Sequence, residues 1–221
     1  MWGKIIRFLS KFKSKAPAPN QPPVVAPKPL PEVPPIEPIE MGTIDLIKFI
    51  KSVEGKFGIL TNSQKSGFIY IIQEWKKTGF TDLRWLAYAL ATTWHETART
   101  MQPITEYGSQ AYLRGKKYWP FIGRGYVQLT WLENYKKYGI DKAPLRALEP
   151  ALAAHIMFDG MSKGIFTGKK FRDYFNQTTD NAVAARRIIN GTDKAVLIST
   201  YHQKFLFSLA SSKSDKPNVI G

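Results

Sequence analysis

Two short runs carry most of the reactive chemistry in this chain. His95-Glu96-Thr97 stands where a helical pattern opened by Thr81-Asp82 runs out. Steps of 100° per residue place Glu96 near Ala89, Thr92 and Thr93, at the margin of the apolar stripe of Leu86 and Leu90. A carboxyl group there, beside Trp94, is partly shielded from water. Shielding disfavours the charged form, and an acid that keeps its proton at neutral pH can donate it. The plainer alternative is a solvated Glu at a helix end, or one paired with Arg99. A zinc site is a poor fit, because Arg99 stands where His-Glu-x-x-His needs its second histidine. With only His95, His155 and His202, and no cysteine, no cofactor or metal is expected.

A proton donor that works on a sugar bond needs a second carboxylate to activate water or attack the anomeric carbon. Between Thr97 and Leu132 the one acidic residue is Glu106, set among Arg99, Arg114, Lys116, Lys117 and Arg124. Those cations favour an ionised carboxylate, the form that a base requires; the alternative is a surface Glu that balances local charge. Next comes Tyr118-Trp119-Pro120-Phe121-Ile122-Gly123-Arg124-Gly125-Tyr126-Val127-Gln128-Leu129-Thr130-Trp131. As a phosphate loop it fails for want of a third glycine, and Thr167-Gly168-Lys169-Lys170 lacks the earlier glycine of a Walker loop. Aromatic faces that stack on pyranose rings, with Gln128 and Arg124 to bond hydroxyls and acetamides, suit a sugar groove better. Five of the six tryptophans lie between Trp75 and Trp131; those on helices, Trp75, Trp85 and Trp94, read as core, which leaves Trp119 and Trp131 for a groove.

The elements that must hold these residues are helical. Thr61-Asn62-Ser63-Gln64 has the form of a capping box opening a helix that Gly79 closes. Thr130-x-x-Glu133 has the same form, Pro150 suits the first position of a helix reaching Lys163, and Asp180 and Asp193 are placed to cap two last helices. Residues 99–129 read as loop and short extended pieces. Residues 1–15 place Trp2, Ile5, Ile6, Phe8, Leu9 and Phe12 opposite Lys4, Arg7, Lys11 and Lys15: a helix for a membrane interface, or a basic tail. Residues 16–40 hold ten of the fifteen prolines and predict an extended spacer, or a ligand for a proline-binding domain. The domain then covers 43–212, with a tail at 213–221. The net charge of +15 favours an anionic partner without naming it, and no nucleic-acid module is present.

In order and combination, His95-Glu96-Thr97, Glu106, Gly123-Arg124-Gly125-Tyr126-Val127-Gln128-Leu129-Thr130-Trp131-x-x-Asn134-Tyr135 and Ile188-Ile189-Asn190-Gly191 resemble glycoside hydrolase family 19, in its chitinase-like phage endolysin and bacterial lysozyme branch. The likeness runs from about Leu60 to Phe207. It implies a mainly α, lysozyme-like fold of two lobes around a central substrate groove, and an inverting mechanism with Glu96 as acid and Glu106 as base. The two carboxyl groups would stand roughly 6.5–9.5 Å apart. Thr130 would help hold the attacking water, while His95, Tyr118, Arg124, Gln128, Asn134 and Asn190 would bind sugar or order the site. The stretch from Glu96 to Glu106 is shorter than in plant chitinases, and their cysteines are missing, which suits the lytic branch. The implied substrate is the glycan strand of peptidoglycan, reached by a monomer made in a host cytoplasm once the membrane is permeabilised. The other readings are a chitinase and a non-catalytic cationic protein that binds walls or membranes.

Overall fold

The computed structural model describes residues 44–213; the amphipathic segment, the proline-rich stretch and residues 214–221 lie outside them. The described part is mainly helical. Helix α1, Leu46–Phe57, starts on Asp45, whose carboxylate accepts from the Lys48 amide, and it buries Leu46, Phe49 and Val53 along one stripe. The Asp45 amide donates to the Ser212 carbonyl, which ties the two ends of the described chain together. Helix α2, Asn62–Thr78, opens on the expected capping box of Thr61 and Gln64 and stops at Gly79 in the left-handed region.

Helix α3, Leu83–Glu96, starts on Asp82 as expected and is buried without a break from Leu86 to Trp94. A helix covered on all sides is the axis of a core rather than its wall. The last helix, α7 (Ala195–Ala210), supplies most of its covering. Helix α6, Pro150–Lys163, packs on α2, with Pro150 at its first turn and Gly164 left-handed beyond its end. Trp75, Trp94, Phe68, Phe158 and Phe205 join one large apolar cluster, with Trp85 packed against it. A second, smaller cluster gathers Leu129, Tyr135, Ile140, Ala147 and Ile156, and Phe166 touches both.

The middle of the chain is the irregular stretch that the sequence implies. Strand β1, Ile104–Thr105, pairs antiparallel with β2, Arg124–Gly125, and Arg124 also bridges Leu129. A short helix that the sequence reading passed over, α4 (Gln110–Arg114), is capped by Ser109. Two start signals turn out otherwise. Helix α5, Leu132–Lys137, begins on Trp131 at φ 76° with no side-chain cap, because that left-handed turn sends the Thr130 hydroxyl back to the Gln128 carbonyl at 2.7 Å. Asp180 and Asp193 cap nothing. Asp180 pairs with Phe175 in a β-bridge, so the expected helix after it shrinks to a 3₁₀ turn, Ala184–Ile188, whose Ala184 amide is taken by Asn181. The Asp193 carbonyl accepts from Arg186 Nε, and α7 instead follows Lys194, which is left-handed.

Candidate active site

The carboxyl group of Glu96 emerges from the last turn of α3, the best-buried helix of the fold, so its position is fixed by the core itself. Its partner is Arg186, not Arg99: Arg186 Nη1 donates to Glu96 Oε1 at 2.6 Å, with side-chain exposures of 2% and 7%. Arg99 turns instead to the Tyr201 hydroxyl. The Arg186 guanidinium is itself braced, since its Nε donates to the Asp193 carbonyl, while Asn190 reaches this group through its backbone N–H, which donates to the Arg186 main-chain carbonyl. A guanidinium and a carboxylate taken out of water together cost several kcal/mol each unless paired and bonded, and this pair is both.

Two neighbours complete this group. His95 is half-buried and its Nε2 is enclosed without a partner. Burial holds its imidazole below the usual value, with Glu96 pulling it up and Arg186 pushing it down, so the neutral ring is the form this site favours. Tyr88, wholly buried, has a hydroxyl without a partner, and burial raises its phenol against the opposing pull of Arg186.

Glu106 follows directly on β1. Its amide donates to the Gly123 carbonyl at 2.7 Å, and the Gly123 amide returns the bond to Glu106 Oε2 at 3.1 Å. Its other oxygen accepts from the Tyr118 hydroxyl at 2.9 Å. Burial first, and the bond to Glu106 second, raise the Tyr118 phenol well above its ordinary range, so Tyr118 stays a donor. Glu106 is only 4% exposed, far from the surface Glu of the plainer reading. Gly123 packs closely here: a Cβ would lie 2.8 Å from Gln128 Oε1 and 3.4 Å from Glu106 Cβ, so a side chain would push the Gln128 amide aside.

The other expected residues divide by what their atoms already do. Arg124 is buried, and its guanidinium binds the Pro120 carbonyl and the Tyr135 hydroxyl, so it braces the loop from within instead of lining a groove. Gln128 spends its amide on the carbonyls of Ile104 and Gly125, fixing the strand that leads into Glu106. Asn134 holds the Thr130 carbonyl. Tyr118 meets the exposed Trp131 edge to face at 5.2 Å. The structure thus gathers Glu106, Tyr118, Gln128, Thr130 and Asn134 into one bonded group, and Glu96, Arg186 and Asn190 into another, with His95 beside Glu96. Among the described residues no hydrogen bond or ion pair joins the two carboxylates to each other.

Residues 97–105 connect the groups, and the connection is rigid. Met101 and Gln102 are anchored through the Thr97 and Thr100 hydroxyls, and Gln64 and Gln102 lash the loop to α2 through the carbonyls of Arg99 and Ser63. Of six non-glycine residues with positive φ among the described ones, Ala98, Arg99, Met101, Gln128 and Trp131 fall between the end of α3 and the start of α5. Such backbone costs on the order of 1–3 kcal/mol per residue and clusters where function demands a shape. A separate cavity of about 410 Å³ lies at the opposite end of α3, lined by Asp82, Arg84, Trp85, Arg172, Phe175, Asn176 and Gln177. It holds none of the expected site residues.

Arg186 is the participant that the sequence reading missed. Its one local signal is an Arg-Arg pair inside Ala184-Ala185-Arg186-Arg187-Ile188-Ile189, where an apolar run must bury one of two cations. Comparison of the chain with models of known families, with curated proteins and with solved structures finds no match.

Proposed function

We propose that this chain hydrolyses β-1,4 glycosidic bonds of bacterial peptidoglycan by inverting general acid–base catalysis, from a lysozyme-like, two-lobed helical domain. The observation that carries the reading is the treatment of two carboxylates ten positions apart. Both are nearly buried, each has its own fixed donors, and neither is paired with the other. Burying a carboxylate is costly, and folds keep such groups where chemistry needs them.

Glu96 takes up a proton from solvent before the bond breaks and donates it to the leaving glycosidic oxygen. Arg186, already 2.6 Å away, then stabilises the carboxylate that this step leaves behind. Glu106, oriented by Tyr118 and the Gly123 amide, takes a proton from the water that attacks the opposite face of the ring. The Thr130 hydroxyl has committed its proton to the Gln128 carbonyl, so its lone pairs are free to accept from that water. The anomeric bond to water forms as the bond to the leaving sugar breaks, and configuration inverts.

The test is hydrolysis of isolated sacculi, followed by turbidity and by new reducing ends. Glu96→Gln keeps an acceptor for Arg186 but cannot donate as an acid; it and Glu106→Gln should each cost about 10²–10⁴-fold. Freshly cut ends should be α-anomers by NMR. Lysis that survives Glu96→Gln unchanged, or β-anomers as first product, would overturn the mechanism.

A further inference from the structure

Residues 107–132 contain no carboxylate. On this stretch Tyr107, Tyr112, Trp119 and Trp131 are 40–51% exposed, which is unusual for rings of that size. Three cations are threaded among them. Lys116 is occupied: its ammonium bonds the Tyr112 hydroxyl and lies 3.9 Å from that ring's centre. Arg114, at the end of α4, sits 6.0 Å from the Trp119 ring, and Lys117 precedes Tyr118, the donor to Glu106. Both are exposed, and among the described residues neither forms an ion pair, although most acidic side chains there do have a cationic partner. A neutral sugar chain needs the rings and has no use for two unpaired cations beside them.

We infer that Arg114 and Lys117 form a subsite for a carboxylate carried on the sugar chain, and that this subsite makes the enzyme prefer anionic β-1,4 glycans over neutral ones. The inference rests on the proposed hydrolase reading and adds substrate choice to it. The rings supply stacking area that any pyranose chain can use. The two cations supply the discrimination, because a charge-assisted contact strengthens binding only for the chain that carries the charge. In peptidoglycan the carboxylate has two sources: the lactyl group once the peptide is removed, and the stem peptide itself.

The double variant Arg114→Gln/Lys117→Gln, which leaves every aromatic ring in place, tests this on three substrates. These are peptide-bearing glycan strands, strands stripped of peptide, and N-acetylglucosamine oligomers. The expected result is a fall in kcat/KM of about tenfold on one or both anionic substrates, with neutral oligomers within about twofold of wild type. A loss confined to peptide-bearing strands assigns the stem carboxylates, a loss confined to stripped strands assigns the lactyl group, and a loss on both shows that the subsite takes either carboxylate. Equal losses on all three substrates, or none on any, overturn the subsite.

Cosedimentation of full-length Glu96→Gln protein with sacculi and with chitin, with and without the two glutamines, reads the same preference without turnover. A wild type that cuts none of the three substrates but still binds sacculi through Arg114 and Lys117 would refute the hydrolase reading and keep the subsite. Binding of a single-stranded oligonucleotide as tight as that of sacculi, and lost in the same variant, would mark the patch as a nucleic-acid surface and overturn the inference.

Discussion

Under the proposed mechanism, the contact of Arg186 with Glu96 would serve stability and chemistry with opposite sensitivities. Arg186→Met would leave a buried carboxylate facing a thioether and would release the Asp193 carbonyl as well. Removing one member of such a pair costs about 3–5 kcal/mol, so the melting temperature should fall by on the order of 10 °C. Glu96→Gln keeps an oxygen for the guanidinium and should melt much closer to wild type. The double change Glu96→Leu/Arg186→Met, which empties the site of charge, should recover most of the loss. Thermal melts of the three proteins decide the matter. An Arg186→Met protein as stable as wild type would mean that the pair contributes little and that Glu96 is held by the helix alone.

At the level of elements, Gly67 on α2 controls the loop that spaces the two carboxylates. A Cβ there would lie 1.9 Å from the Met101 carbonyl oxygen and 2.8 Å from the Met101 carbonyl carbon, so the backbone of the loop or of α2 must move. Overpacking of this kind costs roughly 1–3 kcal/mol. Gly67→Ala should therefore lower the melting temperature, and it should lower the proposed hydrolysis even at temperatures where the protein stays folded, because Met101 lies between Glu96 and Glu106. Gly55, inside α1 with open space around it, is the control. Gly55→Ala should stabilise by about 0.5–1 kcal/mol and leave hydrolysis alone. If Gly67→Ala proved as harmless as Gly55→Ala, the loop would not be setting the spacing.

The same scale explains what could be read in advance. Helix boundaries signalled by short-range chemistry were legible: the Thr61 box and Asp82 form local bonds, and Pro150 and Gly164 act through their own backbone preferences, so none needs a distant partner. Thr130, Asp180 and Asp193 carry the same signals and fail as caps, because a left-handed Trp131, a β-bridge at Phe175 and a long-range bond from Arg186 claim those residues first. The contrast expected between Glu96 and Glu106 runs the other way: the buried cation, Arg186, belongs to Glu96, and Glu106 is held by a phenol and an amide. Arg186 was not legible, because its partner lies 90 positions away. The bracing roles of Arg124 and Gln128 were hidden for a related reason, since a residue type suited to binding sugar is equally suited to satisfying carbonyls inside a loop.

Across the whole domain, acid should loosen the core through His202 before it reaches most other groups. This ring is 3% exposed on α7, stacked on Phe175 at 5.3 Å and tilted against Tyr88 at 5.8 Å, and neither ring nitrogen has a partner. Burial depresses its pKa to about 4, with Asp180, the Arg84 backbone and Asp82 pulling it up and the Arg84 charge opposing them. An unfolded chain would protonate the ring near its ordinary value of about 6.5. Between those two values the unfolded state binds more protons, so stability must rise with pH there. The contribution is complete above about pH 7 and is lost as the pH falls toward 4, an effect of about 3 kcal/mol for a shift of that size. His202→Leu shifts the baseline through lost stacking but removes the titration, so its stability from pH 7 down to pH 4.5 should decline less steeply than that of wild type. Denaturant unfolding at a series of pH values gives both slopes. Parallel curves would mean that the ring is already hydrated or already charged inside the folded core, and the unpartnered nitrogens would then need another explanation. Because α7 supplies most of the covering of α3, acid-induced loosening should also weaken the seat of Glu96. The proposed hydrolysis should accordingly persist to lower pH in the Leu variant than its thermal stability at neutral pH alone would suggest.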